Sequence, residues 1–296
     1  AGLGSGTGDA EVWRCSLASN CSSWTKIGGD GMGLVSSQNS VRALINHQGT
    51  LYAGIGDDTS AGDADGDVWR YDGGTSWTKI GGDGINSGWP ASSIERVQSL
   101  SSDGTNLYAG LSNSTGDAEV WRWNGTSWTK IGGDAVNSSW ADSTYEYVYS
   151  MTYFGGNLYA GLGSNPGDAE VWRWNGTSWT KIGGDAVNSS WADSTYEYVY
   201  SLENDGTNLY AGLGFNGAEA EVWRWNGTSW TQIGGDTIGN SFGGTAASVT
   251  SMTYDQSTSK LYAGVQTNYG AHEWVLDGSN WTLIGGSGID ESWSNY

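Results

Sequence analysis

Residues 116–150 read GDAEVWRWNGTSWTKIGGDAVNSSWADSTYEYVYS, and the same 35 residues return without a change at 167–201. Diverged copies fill the remainder of the chain. The tryptophan of the VWR segment marks them at Trp13, Trp69, Trp121, Trp172, Trp223 and Trp274, spaced 56, 52, 51, 51 and 51 residues apart. Six copies at such a period indicate an array or a propeller of supersecondary units, and they override the usual prior of one domain per 150 residues.

Within the third copy, β-branched and aromatic runs at residues 97–100, 107–111, 119–123 and 127–131 predict four short strands. Equivalent first strands recur at 41–44, 148–151, 199–202 and 249–252, and LYAG opens equivalent second strands at Leu51, Leu158, Leu209 and Leu261. Asp103-Gly104, Gly155-Gly156 and Asp205-Gly206 join first to second strands, while Asn124-Gly125, Asn175-Gly176 and Asn226-Gly227 join third to fourth. Those dipeptides accept the positive φ of tight hairpins, so each copy is an antiparallel meander. In VWRW, Val120 and Arg122 are expected on one face and Trp121 and Trp123 on the other, which leaves neither face plainly polar. A four-stranded sheet covered on both sides and repeated about six times predicts an all-β fold. It is a six-bladed β-propeller occupying residues 1–296 as one domain.

The blade pattern LYAGLG…EVWRWNGTSWTKI resembles that of kelch and galactose-oxidase propellers: a second strand ending in glycine, a third strand, a polar turn, and a Trp opening the fourth. The likeness covers all six copies. It departs in carrying Ala-Gly where that class has Gly-Gly, with Gly132-Gly133 placed after strand four instead. Galactose oxidase implies a copper site built from several histidines and a Tyr-Cys pair. The two histidines here, His47 and His272, do not supply it.

The ends are unequal. AGLG at the start corresponds to the latter half of a second strand, and ESWSNY at the close corresponds to the loop before a first strand. The count is therefore 23 strands, with one blade short of a strand. Two explanations stand: a longer parent chain, or pairing of the open edge with another copy as a homo-oligomer.

Composition narrows the functional classes. With 32 acidic against 12 basic residues, a net charge of -20 excludes the cationic footprint of a nucleic-acid binder. No stretch is apolar for long enough to span a bilayer as a helix, and none resembles a leader, so no membrane insertion is expected. The first copy replaces the short WNGTS turn with CSLASNCSS between Arg14 and Trp24, which puts Cys15 and Cys21 on the two sides of a lengthened hairpin. A disulfide is expected there, and with it an extracellular or cell-surface location. Free thiols are the alternative.

The long two-to-three and four-to-one loops, such as residues 112–118 and 132–145, share one rim and form the candidate binding face. Trp89, Trp140, Trp191, Phe242 and Trp293 recur in the four-to-one loop, with Tyr145 and Tyr196 nearby. Such rings stack on sugars or anchor a protein, and equally they plug the groove between blades. Both readings stay open. Asp117 with Glu119 and Asp168 with Glu170 offer a weak Ca²⁺ site, or else the aspartate caps a turn while the glutamate pairs with a strand arginine such as Arg122. Repetition argues against an enzyme, because catalysis wants one asymmetric constellation and no nucleophile, base and orienting group are evident. The expected function is multivalent, non-catalytic adhesion to a glycan or a cell-surface protein, with no resident cofactor. A structural subunit of an extracellular filament or surface layer is the second reading.

Overall fold

The computed structural model describes residues 1–4, 10–29, 40–56, 66–90, 96–112, 118–141, 145–164, 168–192, 196–214, 220–243, 245–268 and 270–286. These hold 23 β-strands, five short 3₁₀ turns and no α-helix. The chain divides into two compact units, Ala1–Val148 and Tyr149–Tyr296.

In the first unit, β1 (Gly2–Leu3), β2 (Glu11–Cys15) and β3 (Trp24–Gly28) make a three-stranded sheet. It is followed by the meanders β4 (Ser40–His47), β5 (Thr50–Gly56), β6 (Asp67–Gly73), β7 (Ser76–Gly81) and β8 (Arg96–Ser102), β9 (Leu107–Ser112), β10 (Val120–Trp123), β11 (Trp128–Gly132). Three further meanders follow: β12 (Tyr147–Phe154), whose first two residues belong to the first unit, with β13 (Asn157–Gly163), β14 (Glu170–Trp174) and β15 (Trp179–Gly183); β16 (Tyr198–Asn204), β17 (Leu209–Gly214), β18 (Glu221–Trp225) and β19 (Trp230–Gly234); and β20 (Ala246–Asp255), β21 (Lys260–Thr267), β22 (Gly270–Asp277) and β23 (Asn280–Gly285). The expected antiparallel four-stranded meander is present in five copies, the first copy has three strands, and β1 has β2 as its one partner among the described residues. The disulfide expected between Cys15 and Cys21 is formed.

Both faces of the second strands are covered, as their composition requires. Every residue of β9 and β17 is buried. Consecutive sheets interlock through a glycine and a valine. A Cβ added at Gly54 would lie 2.8 Å from Val97 Cγ1, at Gly110 2.7 Å from Val148 Cγ1, at Gly161 2.7 Å from Val199 Cγ1 and at Gly212 2.8 Å from Val249 Cγ1. Only glycine permits that approach, which is why LYAG ends as it does. A β-bulge after each valine, at Val97/Ser99, Val199/Ser201 and Val249/Ser251, turns the following serine toward the next sheet. Ser99, Ser150 and Ser201 there donate to the carbonyls of Val148, Val199 and Val249 at 2.9, 3.3 and 3.0 Å.

A Trp at the start of the fourth strand completes the contact in four of the sheets, whereas Trp24 of β3 is 49% exposed. Trp77, Trp128, Trp230 and Trp281 donate from Nε1 to the carbonyls of Ile27, Ile80, Ile182 and Ile233 at 2.7 to 2.8 Å. Buried indole N–H groups need such acceptors. A 3₁₀ turn not foreseen from sequence follows the fourth strand, at Val136–Ser138 and Val187–Ser189, and Asn137 and Asn188 hold it by donating to the carbonyls of Ile131 and Ile182.

Candidate functional site

The loop aromatics are interior residues. Trp89, Trp140 and Trp191 are 1–2% exposed and Phe242 4%, so no ring face is left for a sugar to stack on. Their Nε1 atoms donate to the carbonyls of Gly66, Ala118 and Ala169 at 2.6 to 2.7 Å. Trp191 also packs edge-on against Trp223 and Trp230, and Phe242 likewise against Trp274 and Trp281. Tyr145 and Tyr196 are buried too. Of the two readings of these residues, the groove plug is the one that matches their placement. Trp293 lies outside the described residues.

The repeated carboxylates are committed as well, though not to arginine. Glu119 accepts from Trp121 Nε1 at 2.6 Å and pairs with Lys130; Glu170 accepts from Trp172 Nε1 at 2.6 Å and pairs with Lys181 at 2.6 Å. Glu11 with Lys26, and Asp67 with Lys79, repeat the arrangement. The reason is register. Trp121 stands opposite Lys130 and Trp172 opposite Lys181, and directly opposed residues share a face, whereas Arg122 and Arg173 stand opposite threonines on the other. As for calcium, Glu119 and Glu170 each already hold an ammonium group, Asp168 accepts from Ser164 Oγ at 3.3 Å, and Asp117 lies outside the described residues. No cluster of three or more His, Cys, Asp or Glu able to hold a metal occurs among the described residues.

Two sheets break this pattern: where the other four carry lysine, Gln232 of β19 stands opposite Trp223 and Leu283 of β23 opposite Trp274. Glu221 therefore lacks a cation, and burial, reinforced by the charge of Asp236, raises its pKa to about 7. The Gln232 side-chain amide nitrogen is itself buried with no partner. A carboxyl whose folded pKa lies above its ordinary value stabilises the fold below about pH 4.5 and loses that contribution as pH rises through 7. Thermal unfolding followed by circular dichroism at pH 5 and pH 8 should therefore show the protein weaker at pH 8. Gln232→Lys should remove on the order of 1–2 kcal/mol of that difference by supplying the missing ion pair.

Gln232 also lines a groove of about 300 Å³ between the β16–β19 and β20–β23 sheets. Arg224 reaches it from β18, Ile238 from the 3₁₀ turn after β19, Tyr254 from the end of β20, and Ser279 from the β22–β23 turn. Tyr210 closes the floor, its hydroxyl donating to Asp205 Oδ2 at 2.7 Å. The groove joins an exposed guanidinium and an unspent amide to an aromatic ring and an isoleucine 39% exposed. Such a mixture suits a small amphipathic ligand, which needs a few directed polar groups on an apolar wall. The groove is bordered by the short turns that hold Ser259 and Ser279 and by Ile238 of the long four-to-one loop. It is not repeated: Asn204 stands in β16 where Tyr254 stands in β20, and Lys181 where Gln232 stands.

No family model and no curated protein sequence matches the chain. Solved structures do. A protein from Lactobacillus plantarum aligns with a TM-score of 0.58 at 13% identity, over 96% of this chain and 80% of that one. The Aleuria aurantia lectin in complex with Fucα1-6GlcNAc aligns with a TM-score of 0.52 at 13% identity, over 96% and 89%. The GH74 enzyme of Niastella koreensis aligns with a TM-score of 0.55 at 15% identity, over 86% of this chain, which spans only 38% of the enzyme. The fold is a β-propeller one. At these identities lectins and enzymes share it alike, and the kelch family is not singled out.

Proposed function

We propose that the chain is a non-catalytic, carbohydrate-binding β-propeller protein of the cell exterior, holding a saccharide in the groove of Arg224, Gln232 and Tyr254. The observation that carries this reading is the pairing of a buried, unpartnered amide with an exposed guanidinium on a wall formed by Tyr254, Ile238 and Leu261. Sugars present hydroxyls on their edges and C–H groups on their faces, so donors converging beside an aromatic ring match them on both counts. The lectins among the structural neighbours support the same class of ligand, and the Cys15–Cys21 bridge supports an oxidising compartment.

A glycan array followed by calorimetry on the strongest hit tests it. Tyr254→Ala and Arg224→Ala should each weaken binding about tenfold or more while leaving the melting temperature near that of the parent. An array on which the parent protein retains no glycan refutes the reading. Self-assembly through the free edge of β1 is the second reading, favoured by Leu3 standing 51% exposed on it. A concentration-independent monomer in light scattering sets that one aside.

A further inference from the structure

The β20–β23 sheet repeats the interlocking slot of the others, and no described residue fills it. Ser251 of β20 stands opposite Gly264 of β21, as Ser201 stands opposite Gly212. Where Gly54, Gly110, Gly161 and Gly212 each receive a valine from the following first strand, the position above Gly264 meets, among the described residues, only Ser251, with Oγ at 2.5 Å, and Thr250. Ser251 is exposed and its hydroxyl has no partner among the described residues, whereas Ser99, Ser150 and Ser201 each bind a carbonyl. Tyr262 of the same face is part-exposed, while its counterparts Tyr108, Tyr159 and Tyr210 are buried. A cavity of about 520 Å³ lies over these residues.

The slot differs from its relatives in one charge. Beside each interlocking glycine the third strand places a fully buried valine: Val68 opposite Gly54, Val120 opposite Gly110, Val171 opposite Gly161, Val222 opposite Gly212. Opposite Gly264 it places Glu273, half-buried and with neither ion pair nor hydrogen bond among the described residues. A carboxylate kept in a partly apolar slot is stabilised by a cation brought with whatever fills it.

We infer that this face binds an extended peptide that seats a valine on Gly264, offers a backbone carbonyl to Ser251 Oγ, and carries a basic side chain to Glu273. The chain supplies the template itself: its own first strands seat a valine on Gly54, Gly110, Gly161 and Gly212 and, in the last three of these slots, also offer a carbonyl to a serine, while the third contact follows from charge complementarity. This is strand capture on a sheet face, in which one side chain and one backbone group fix the register.

The test uses two fluorescently labelled nine-residue peptides against the full chain. One copies residues 196–204, YEYVYSLEN; the other, YKYVYSLEN, puts lysine on the valine's side in place of the glutamate. Fluorescence anisotropy should show the lysine peptide binding about tenfold more tightly than the glutamate peptide. Glu273→Lys should reverse that order, and Gly264→Val should abolish binding of both, with unfolding curves that confirm each variant is folded. No binding of the lysine peptide at about 1 mM, or an order that Glu273→Lys leaves unchanged, overturns the inference.

Discussion

Gly212→Val is expected to cost about 3 kcal/mol or more, the upper end of what overpacking a closed core exacts, whereas Gly264→Val in the same register should change stability by less than about 1 kcal/mol. Neither glycine has positive φ, so the backbone conformation suits valine at both and the contrast isolates packing. At Gly212 the added Cβ would lie 2.4 Å from Ser201 Oγ and 2.8 Å from Val249 Cγ1. Ser201 cannot yield without releasing the Val249 carbonyl, to which it donates at 3.0 Å, and Val249 is fully buried. At Gly264 the one close atom is Ser251 Oγ, on an exposed side chain free to turn away. Chemical denaturation read through tryptophan fluorescence gives both numbers. Equal losses would show that the two slots are equally filled in solution, against the open face described for β20–β23.

The architecture was legible because the sequence states it several times. The Asn-Gly and Asp-Gly turns set strand boundaries that the structure meets within a residue or two: the third copy's strands, expected at 97–100 and 107–111, run Arg96–Ser102 and Leu107–Ser112. The cysteine pair was legible for a similar reason, since an insertion in an otherwise fixed turn draws attention to what flanks it. Side-chain partnership was harder. Alternation along EVWRW already turns Arg122 to the face opposite Glu119 and Trp121, so the arginine could not reach that carboxylate. The bulge between Val120 and Trp121 sets Trp121 against Lys130, and lysine takes the carboxylate.

The groove left a trace in the sequence, but one carried by departures from the repeat and not by the repeat itself. Gln232 departs from the lysine of four copies, and Tyr254 repeats Tyr153 but not Asn46, Ser102 or Asn204, so what is particular here is that the two fall together. Their meaning appears only when β19 and β20 are seen to face one cavity. Repetition specifies the scaffold, and a site specific to one ligand belongs where the repetition lapses.

Trp191→Ala is expected to destabilise the second unit by about 3–5 kcal/mol, the range for deleting a large buried aromatic. Two losses combine there. The ring, 2% exposed, leaves a hole against Trp223 and Trp230, and the Ala169 carbonyl loses the indole N–H that reached it at 2.7 Å. Trp191→Phe separates them. It keeps most of the ring contact and forfeits the hydrogen bond, so it should cost about 1–2 kcal/mol. The chain already tolerates that substitution in its next copy, where Phe242 packs edge-on against Trp274 and Trp281. A sugar-stacking tryptophan on an exposed rim would behave in the opposite way, with Ala nearly neutral to stability and ruinous to glycan binding. Denaturation curves and calorimetry on the same two variants therefore decide whether this ring belongs to the packing or to the ligand. Burial, indole geometry and the ring neighbours all assign it to the packing.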